Sequence, residues 1–205
     1  MDRTSGGNNR FSSDVLHSRV KVFAVFLLLG TFTVRAQNSD APKMYGTLVS
    51  KVTSIRNTSA VLVGGRGGWI VDQRFAVGIE GYMLLSNVKA QVPDTSGNRF
   101  LTADYGGVDL EYSVPLGTRY SLTVQTLIGG GSIGHKETPY LDRRQYHDPF
   151  VVLEPGASVE IAVTRIFRIG VGASYRHVAF LKSDLATRQE LSGPAGFLSL
   201  KVGFF

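Results

Sequence analysis

Ten ionisable side chains stand at alternate positions inside segments that are otherwise apolar: Lys51, Arg66, Arg168, Arg176 and Lys201 against Glu80, Asp109, Glu111, Glu154 and Glu160. An equal set of acids and bases in such a setting can neutralise itself or line a narrow water or ion path. A hydrolytic site is harder to assemble. His177 is followed two positions on by Ala179 rather than serine, and Ser174 and Glu160 have the opposite parity, so no base, nucleophile and orienting acid converge.

Other candidate chemistry is weaker. His135, Glu137, Asp142, His147 and Asp148 fall in one polar stretch and are metal-ligating types, yet no tight ligand spacing repeats and Arg143 and Arg144 lie among them. A solvated loop of mixed charge is the better reading. The glycine-rich run Gly129 to Gly134 lacks the Gly-Lys-Ser/Thr order of a phosphate loop, and no helical pattern follows it. Gly64-Gly65-Arg66-Gly67-Gly68 reads as strand packing around Arg66, and Asn57-Thr58-Ser59, a match to a glycosylation sequon, as a polar turn. No cofactor or metal is implied.

The elements that must position these residues are strands. After Gln37 no helical period is sustained, whereas apolar and polar residues alternate in segments of about ten residues bounded by Gly, Pro, Asn, Asp and Ser. The alternation predicts eight strands: Tyr45 to Ile55, Ala60 to Ile70, Phe75 to Asn87, Leu101 to Val114, Tyr120 to Gly134, Val151 to Val163, Phe167 to Phe180 and Ala195 to Phe205. Connections alternate between short (71–74, 115–118, 164–165) and long (88–99, 135–149, 181–194), except that the first, 56–59, is short where a long one is due. Short turns at one end and long loops at the other are the habit of membrane barrels with an even strand number.

Residues two apart share a face of a strand. One face collects residues such as Val63, Trp69, Ile79, Val108, Leu122, Val171 and Leu198 and is almost free of charge; the other carries the ten ionisable groups. A Lys or Arg facing lipid at mid-depth costs about 2–4 kcal/mol, so ten outward charges would exceed an ordinary folding stability. They are therefore assigned to the lumen. There each needs partners, and small neighbours such as Gly64, Gly68, Gly78, Gly170, Gly172, Ser158 and Ser174 leave room for them. A soluble lipocalin-like barrel would reverse the two faces. Against it, Trp69, Phe75, Tyr112, Tyr120, Phe167 and Phe204 all fall on the apolar face close to the short-turn end, a ring of the kind a membrane interface selects. Arg66 and Glu80 are predicted to stabilise one another within the lumen.

The first 36 residues belong to a different category. Val22 to Ala36 (VFAVFLLLGTFTVRA) follows Arg19 and Lys21 and ends on Val34 and Ala36, small residues placed for cleavage before Gln37, the pattern of a secretory signal peptide. A membrane helix would need about 20 apolar residues. The polar residues before it point to a true translation start near Leu16 or Val20. The predicted organisation is an N-terminal extension and signal peptide over 1–36 and one barrel domain over 37–205. Five of the 22 basic and two of the 16 acidic residues lie in the leader, so the formal charge of +6 falls to +3 in the remainder. That argues against a nucleic-acid partner. The absence of cysteine excludes both a disulfide framework and a lipid-modified cysteine anchor.

With these segments in hand, AVLVGGRGGWIV (60 to 71), YGGVDLEY (105 to 112), LIGGG (127 to 131), LEPGASVEIAVTRIFRIGVGASYRHV (153 to 178) and the closing LKVGFF carry a likeness. The chain resembles the small eight-stranded outer-membrane β-barrels of the OmpA, OmpX and OmpW kind, and more closely the outer-membrane barrels common in Bacteroidetes-type bacteria. The resemblance implies an antiparallel up-and-down transmembrane barrel, a bacterial outer-membrane location and contact with outer-membrane lipid. It also implies recognition by the barrel-insertion machinery through Phe204 and Phe205. Lys201 and Gly203 share parity with Phe205, while Phe204 belongs to the apolar set, so Phe204 is assigned the terminal role.

The family has no assigned reaction, and the reading is a non-catalytic barrel with a structural, adhesive or small-ligand role, its external partner unidentified and its lumen plugged by charged side chains. Two alternatives differ in class: a lipid-modifying enzyme of the lipid A deacylase or acyltransferase kind, which would need the His177 chemistry, and a soluble periplasmic lipocalin-like binder. A general solute pore is disfavoured because an eight-stranded barrel is only wide enough for side chains to fill it.

Overall fold

The computed structural model describes residues 43–86, 88, 100–136, 145–183 and 185–205, with the side chains of 136 and 145–147 excepted. The predicted signal peptide lies outside them, as do Glu137, Asp142, Arg143 and Arg144. Eight strands run β1 (Lys43–Ile55), β2 (Thr58–Ile70), β3 (Phe75–Leu84), β4 (Phe100–Pro115), β5 (Tyr120–Lys136), β6 (Gln145–Ala162), β7 (Phe167–Ala179) and β8 (Gly193–Gly203), with a single helical turn α1 (Arg188–Leu191) between the last two. Each strand pairs antiparallel with the next, and β8 pairs back on β1, so the sheet has no free edge.

Period-two alternation is why these residues form strands, and it persists as burial. β1 and β8 alternate exposed and buried without a break through their centres. The predicted spans shift mainly at the long-loop end. β3 stops at Leu84, short of Asn87, and β6 begins at Gln145, six residues before Val151. β5 rises to Lys136, pairing Gly131, Ser132 and Ile133 with Phe150, Pro149 and Asp148 and, past a bulge, His135 with Gln145. The β7–β8 connection contains the turn α1, which alternation alone does not announce.

The short first connection is a two-residue hairpin. Arg56 and Asn57 both hold positive φ, 54° and 56°, with Ile55 opposite Thr58, the twist-matched turn that closes tight hairpins. Asn57, the sequon residue, is thereby a turn residue. At the opposite end each short turn is tied to the next strand: Ser113 donates its N–H to the Arg74 carbonyl (2.7 Å), Ala162 to Arg119 (2.8 Å) and Gly203 to Ile166 (3.0 Å).

The faces are arranged opposite to those of a soluble protein. Ile79 is 71% exposed, and Leu48, Val52, Val108, Val124, Ile128 and Leu198 also point outward. The buried set includes Lys51, Arg66, Glu80, Asp109, Glu111, Glu154, Glu160, Arg176 and Lys201. Burial of ions inside and exposure of aliphatic side chains outside is stable only where the surrounding solvent is apolar.

Rings occupy much of the space that inward glycines leave. Tyr82 stands opposite Gly64, Tyr105 and Phe150 flank Gly131, and Phe197 faces Gly172. A Cβ at Gly131 would lie 2.5 Å from the Phe150 ring and 2.6 Å from Tyr105 Cβ, and one at Gly64 would lie 2.4 Å from Tyr82. The expectation that small residues make room for long charged chains is therefore incomplete: aromatic rings cover several of them, the arrangement in which a ring shields a glycine on the neighbouring strand.

Candidate functional site

The lumen is layered along its axis. At the short-turn end Arg168 and Lys201 both approach Glu160, at 3.6 and 3.1 Å. Lys201 also hydrogen-bonds Glu111, and Arg66 lies 3.7 Å from Glu111 and 4.0 Å from Asp109 while donating to Gln125. Tyr45 donates to Asp109 at 3.2 Å. Midway, Lys51 donates to Glu154 (2.6 Å), which also accepts from Tyr105 (2.7 Å) and Ser174 (2.6 Å).

Most of these contacts cross the lumen. Lys51–Glu154 joins β1 to β6, Arg66–Glu111 joins β2 to β4, and Lys201–Glu111 joins β8 to β4. None of these strand pairs shares a ladder. Arg168–Glu160 and Ser174–Glu154 link the neighbouring strands β6 and β7.

Nine of the ten assigned ionisable residues are buried; Arg168, at the short-turn mouth, keeps about a quarter of its side chain exposed (23%). The anticipated Arg66–Glu80 pairing does not form. The two are register partners, but the guanidinium extends past Glu80 to β4 and β5, and the Glu80 carboxylate accepts from Tyr82 at 3.1 Å. Arg176 likewise takes no acid among the described residues and donates Nε to the Leu191 carbonyl at 2.7 Å. Equal counts of acid and base thus do not produce five pairs. Tyrosine hydroxyls and a backbone carbonyl share the work, because side-chain length and strand tilt decide reach.

Toward the long-loop end the interior becomes apolar: Ile55, Leu62, Leu101, Ile133, Phe150, Val152 and Val178 are buried together. The β7–β8 connection lies across this cup and buries Leu181, Leu185, Ala186 and Leu191 in it. Thr187 caps α1 with a reciprocal pair of bonds: Glu190 N–H donates to Thr187 Oγ1, and Thr187 N–H to Glu190 Oε2 at 2.8 Å. Arg56 ties the lid to the first hairpin, its N–H donating to the Glu190 carbonyl (3.2 Å) and its Nε to Glu190 Oε1 (3.3 Å). The Thr187 N–H and hydroxyl, with Arg56 beside them, hold the Glu190 carboxyl below its ordinary range. Beneath the lid, a cavity of about 10 Å³ lined by Leu62, Tyr105, Phe150, Arg176 and Leu191 has room for one water. The capping signature Thr187-x-x-Glu190 is the sequence signal that could have located this lid.

The six outward aromatics lie where parity puts them. Trp69, Phe75, Tyr112, Tyr120 and Phe204 are exposed and Phe167 is half-buried, all within a few residues of the short-turn end. Phe205 behaves differently from Phe204: its ring centre lies 3.9 Å from the Arg168 guanidinium and 5.8 Å from Lys201 Nζ, at the short-turn end. His177 is exposed on the exterior while Ser174 is bonded to Glu154 inside, so the barrel wall separates them. Among the described residues no three acidic, histidine or cysteine side chains gather around a possible metal position.

No protein-family model and no curated protein sequence matches the chain. Solved structures do. The fold is similar to the N-terminal β-barrel domain of Pseudomonas aeruginosa OprF (TM-score 0.51, 12% identity, covering 80% of this chain and 98% of that one). It is also similar to Neisserial surface protein A (TM-score 0.53, 11% identity, 79% and 95%). The fold is that of a small outer-membrane barrel. At these identities the likeness is one of architecture.

Proposed function

We propose that this chain is an integral bacterial outer-membrane barrel without catalytic activity, its lumen plugged by side chains and its long-loop end serving a structural, adhesive or small-ligand role. One observation carries the reading: a largely aliphatic exterior around a closed barrel that buries nine acidic and basic side chains in its lumen. Such a surface has no stable partner in water. Plugging is supported by the cross-lumen contacts, by Phe205 at one mouth and by the α1 lid at the other. The separation of His177 from Ser174 disfavours the lipid-hydrolysing alternative. The closer likeness to Bacteroidetes-type barrels, the cleavable leader and recognition of Phe204 and Phe205 by insertion machinery are parts of the same proposal and rest on the sequence phrases quoted above.

Two measurements test it together. The protein is expected to stay with membranes through carbonate and urea extraction and to migrate faster on a denaturing gel before boiling than after. Release into the soluble fraction would overturn the membrane reading. Rapid sugar permeation in liposomes containing the folded protein would overturn the plug.

A further inference from the structure

We propose that the short-turn rim of the barrel is a binding surface for anionic phospholipid headgroups, an inference that rests on the membrane reading above. Each hairpin turn at that end, and the first residue of β1, carries an exposed cation: Lys43 at the start of β1, Arg74 between β2 and β3, Arg119 between β4 and β5, and Arg165 between β6 and β7. Among the described residues none of the four forms an ion pair. One acid, Asp72, lies in the same ring, and its Oδ1 accepts the Gln73 N–H at 2.6 Å. The cations are on anchored backbone, because the carbonyls of Arg74, Arg119 and Ile166 are each bonded to the next strand.

Directly beside these cations the exterior carries its aromatic ring. Phe75 follows Arg74, Tyr120 follows Arg119, and Trp69 pairs with Met44 next to Lys43. Such rings mark the depth of the headgroups in a bilayer. A lipid whose acyl chains lie along Val77 and Ile79 therefore places its phosphate level with the guanidinium groups. Guanidinium is the side-chain group best matched to phosphate, through parallel N–H donors. Four cations spread over three hairpin turns and the start of β1 form an annulus, so the occupants are lipids approaching laterally around the wall. A neutral, zwitterionic headgroup would leave the net positive charge of the rim uncompensated.

Trp69 is the sole tryptophan of the chain and sits beside this rim, which makes it a local reporter. The protein is reconstituted in phosphatidylcholine vesicles containing either brominated phosphatidylcholine or brominated phosphatidylglycerol, and quenching of Trp69 is compared at low and high salt. Each cation near a charged surface is worth a factor of about five. Quenching by the anionic lipid is expected at about fivefold lower mole fraction at low salt. The preference should shrink in high salt and vanish in the triple variant Arg74→Gln, Arg119→Gln, Arg165→Gln. Those side chains take no part in the backbone ties, so the variant should keep the gel shift of a folded barrel. Equal quenching by both lipids, or a preference that survives in the folded triple variant, overturns the inference while leaving the membrane reading intact. Absence of quenching by either lipid overturns both.

Discussion

Lys51 Nζ lies 2.6 Å from Glu154 Oε1 and 3.5 Å from the centre of the Tyr82 ring, so one ammonium group is held at once by an acid across the lumen and by an aromatic face on its own side. Both residues are almost fully buried. Replacing Lys51 by Met should cost about 3–5 kcal/mol, because Glu154 is left as an uncompensated buried charge. The double variant Lys51→Met, Glu154→Gln should recover much of it, since a neutral amide can still accept from Tyr105 and Ser174. Urea unfolding followed by the gel shift measures both. A single variant as stable as wild type would show that this contact carries no weight.

Arg66 offers a test of reach against register. A double-mutant cycle between Arg66→Met and Glu111→Gln should give a coupling of about 1–3 kcal/mol. The cycle with its register partner Glu80→Gln should give a smaller one, because the guanidinium lies 3.7 Å from Glu111 and Glu80 is held by Tyr82. The reverse ranking would place the side chain elsewhere.

Two glycines should respond in opposite ways to one methyl group. Gly131→Ala drives its Cβ to 2.4 Å from the Asp104 carbonyl and 2.5 Å from Phe150, and is expected to destabilise by about 1–3 kcal/mol. Gly196→Ala on the exterior meets nothing within 4 Å and should be neutral or mildly stabilising. Thermal unfolding of the two variants separates the cases.

The lid should respond to acid. Glu190 is held below its ordinary carboxyl range first by the Thr187 N–H, then by the Thr187 hydroxyl and Arg56. A depressed folded-state pKa contributes stability above the unfolded-state value, about 4.3, and loses it as pH falls through the lower folded-state value. Hydrogen-exchange protection factors at the amides of Arg56 and Leu191 should be high at neutral pH and fall below about pH 4. In Glu190→Gln those amides should exchange faster at neutral pH, with that acid-dependent step gone. The effect is modest because the carboxyl is largely solvated.

How much of this was legible depends on the distance over which each feature is determined. Inside and outside follow from a period of two within single strands, so Ile79 and Glu80 could be sorted from the sequence. The partner of Arg66 could not: Glu80 is the nearest candidate by register, yet the lumen brings Glu111 and Asp109 within reach of a long side chain, and that depends on how the closed sheet curves. The filling of inward glycines by Tyr82, Tyr105, Phe150 and Phe197 also depends on register between strands. The lid escapes alternation because one turn of helix is too short to display a period, although Thr187 and Glu190 spell its cap. Phe205 lies on the inward side that its parity with Lys201 and Gly203 gives it, but its contact with Arg168 on β7 depends on how β7 and β8 pair.

Because Lys51 meets Glu154 over a separation of 103 residues and Lys201 meets Glu111 over 90, no partial sheet can gain either contact. Such distant pairings must wait for the loop-closure entropy to be met first, which places this molecule among slow folders of high contact order. The ring of cross-lumen contacts is complete only when β1 and β8 zip together from Tyr45 and Gly203 to Thr53 and Ala195. The meeting of the first strand with the last is accordingly the expected slow step on the way to the native state.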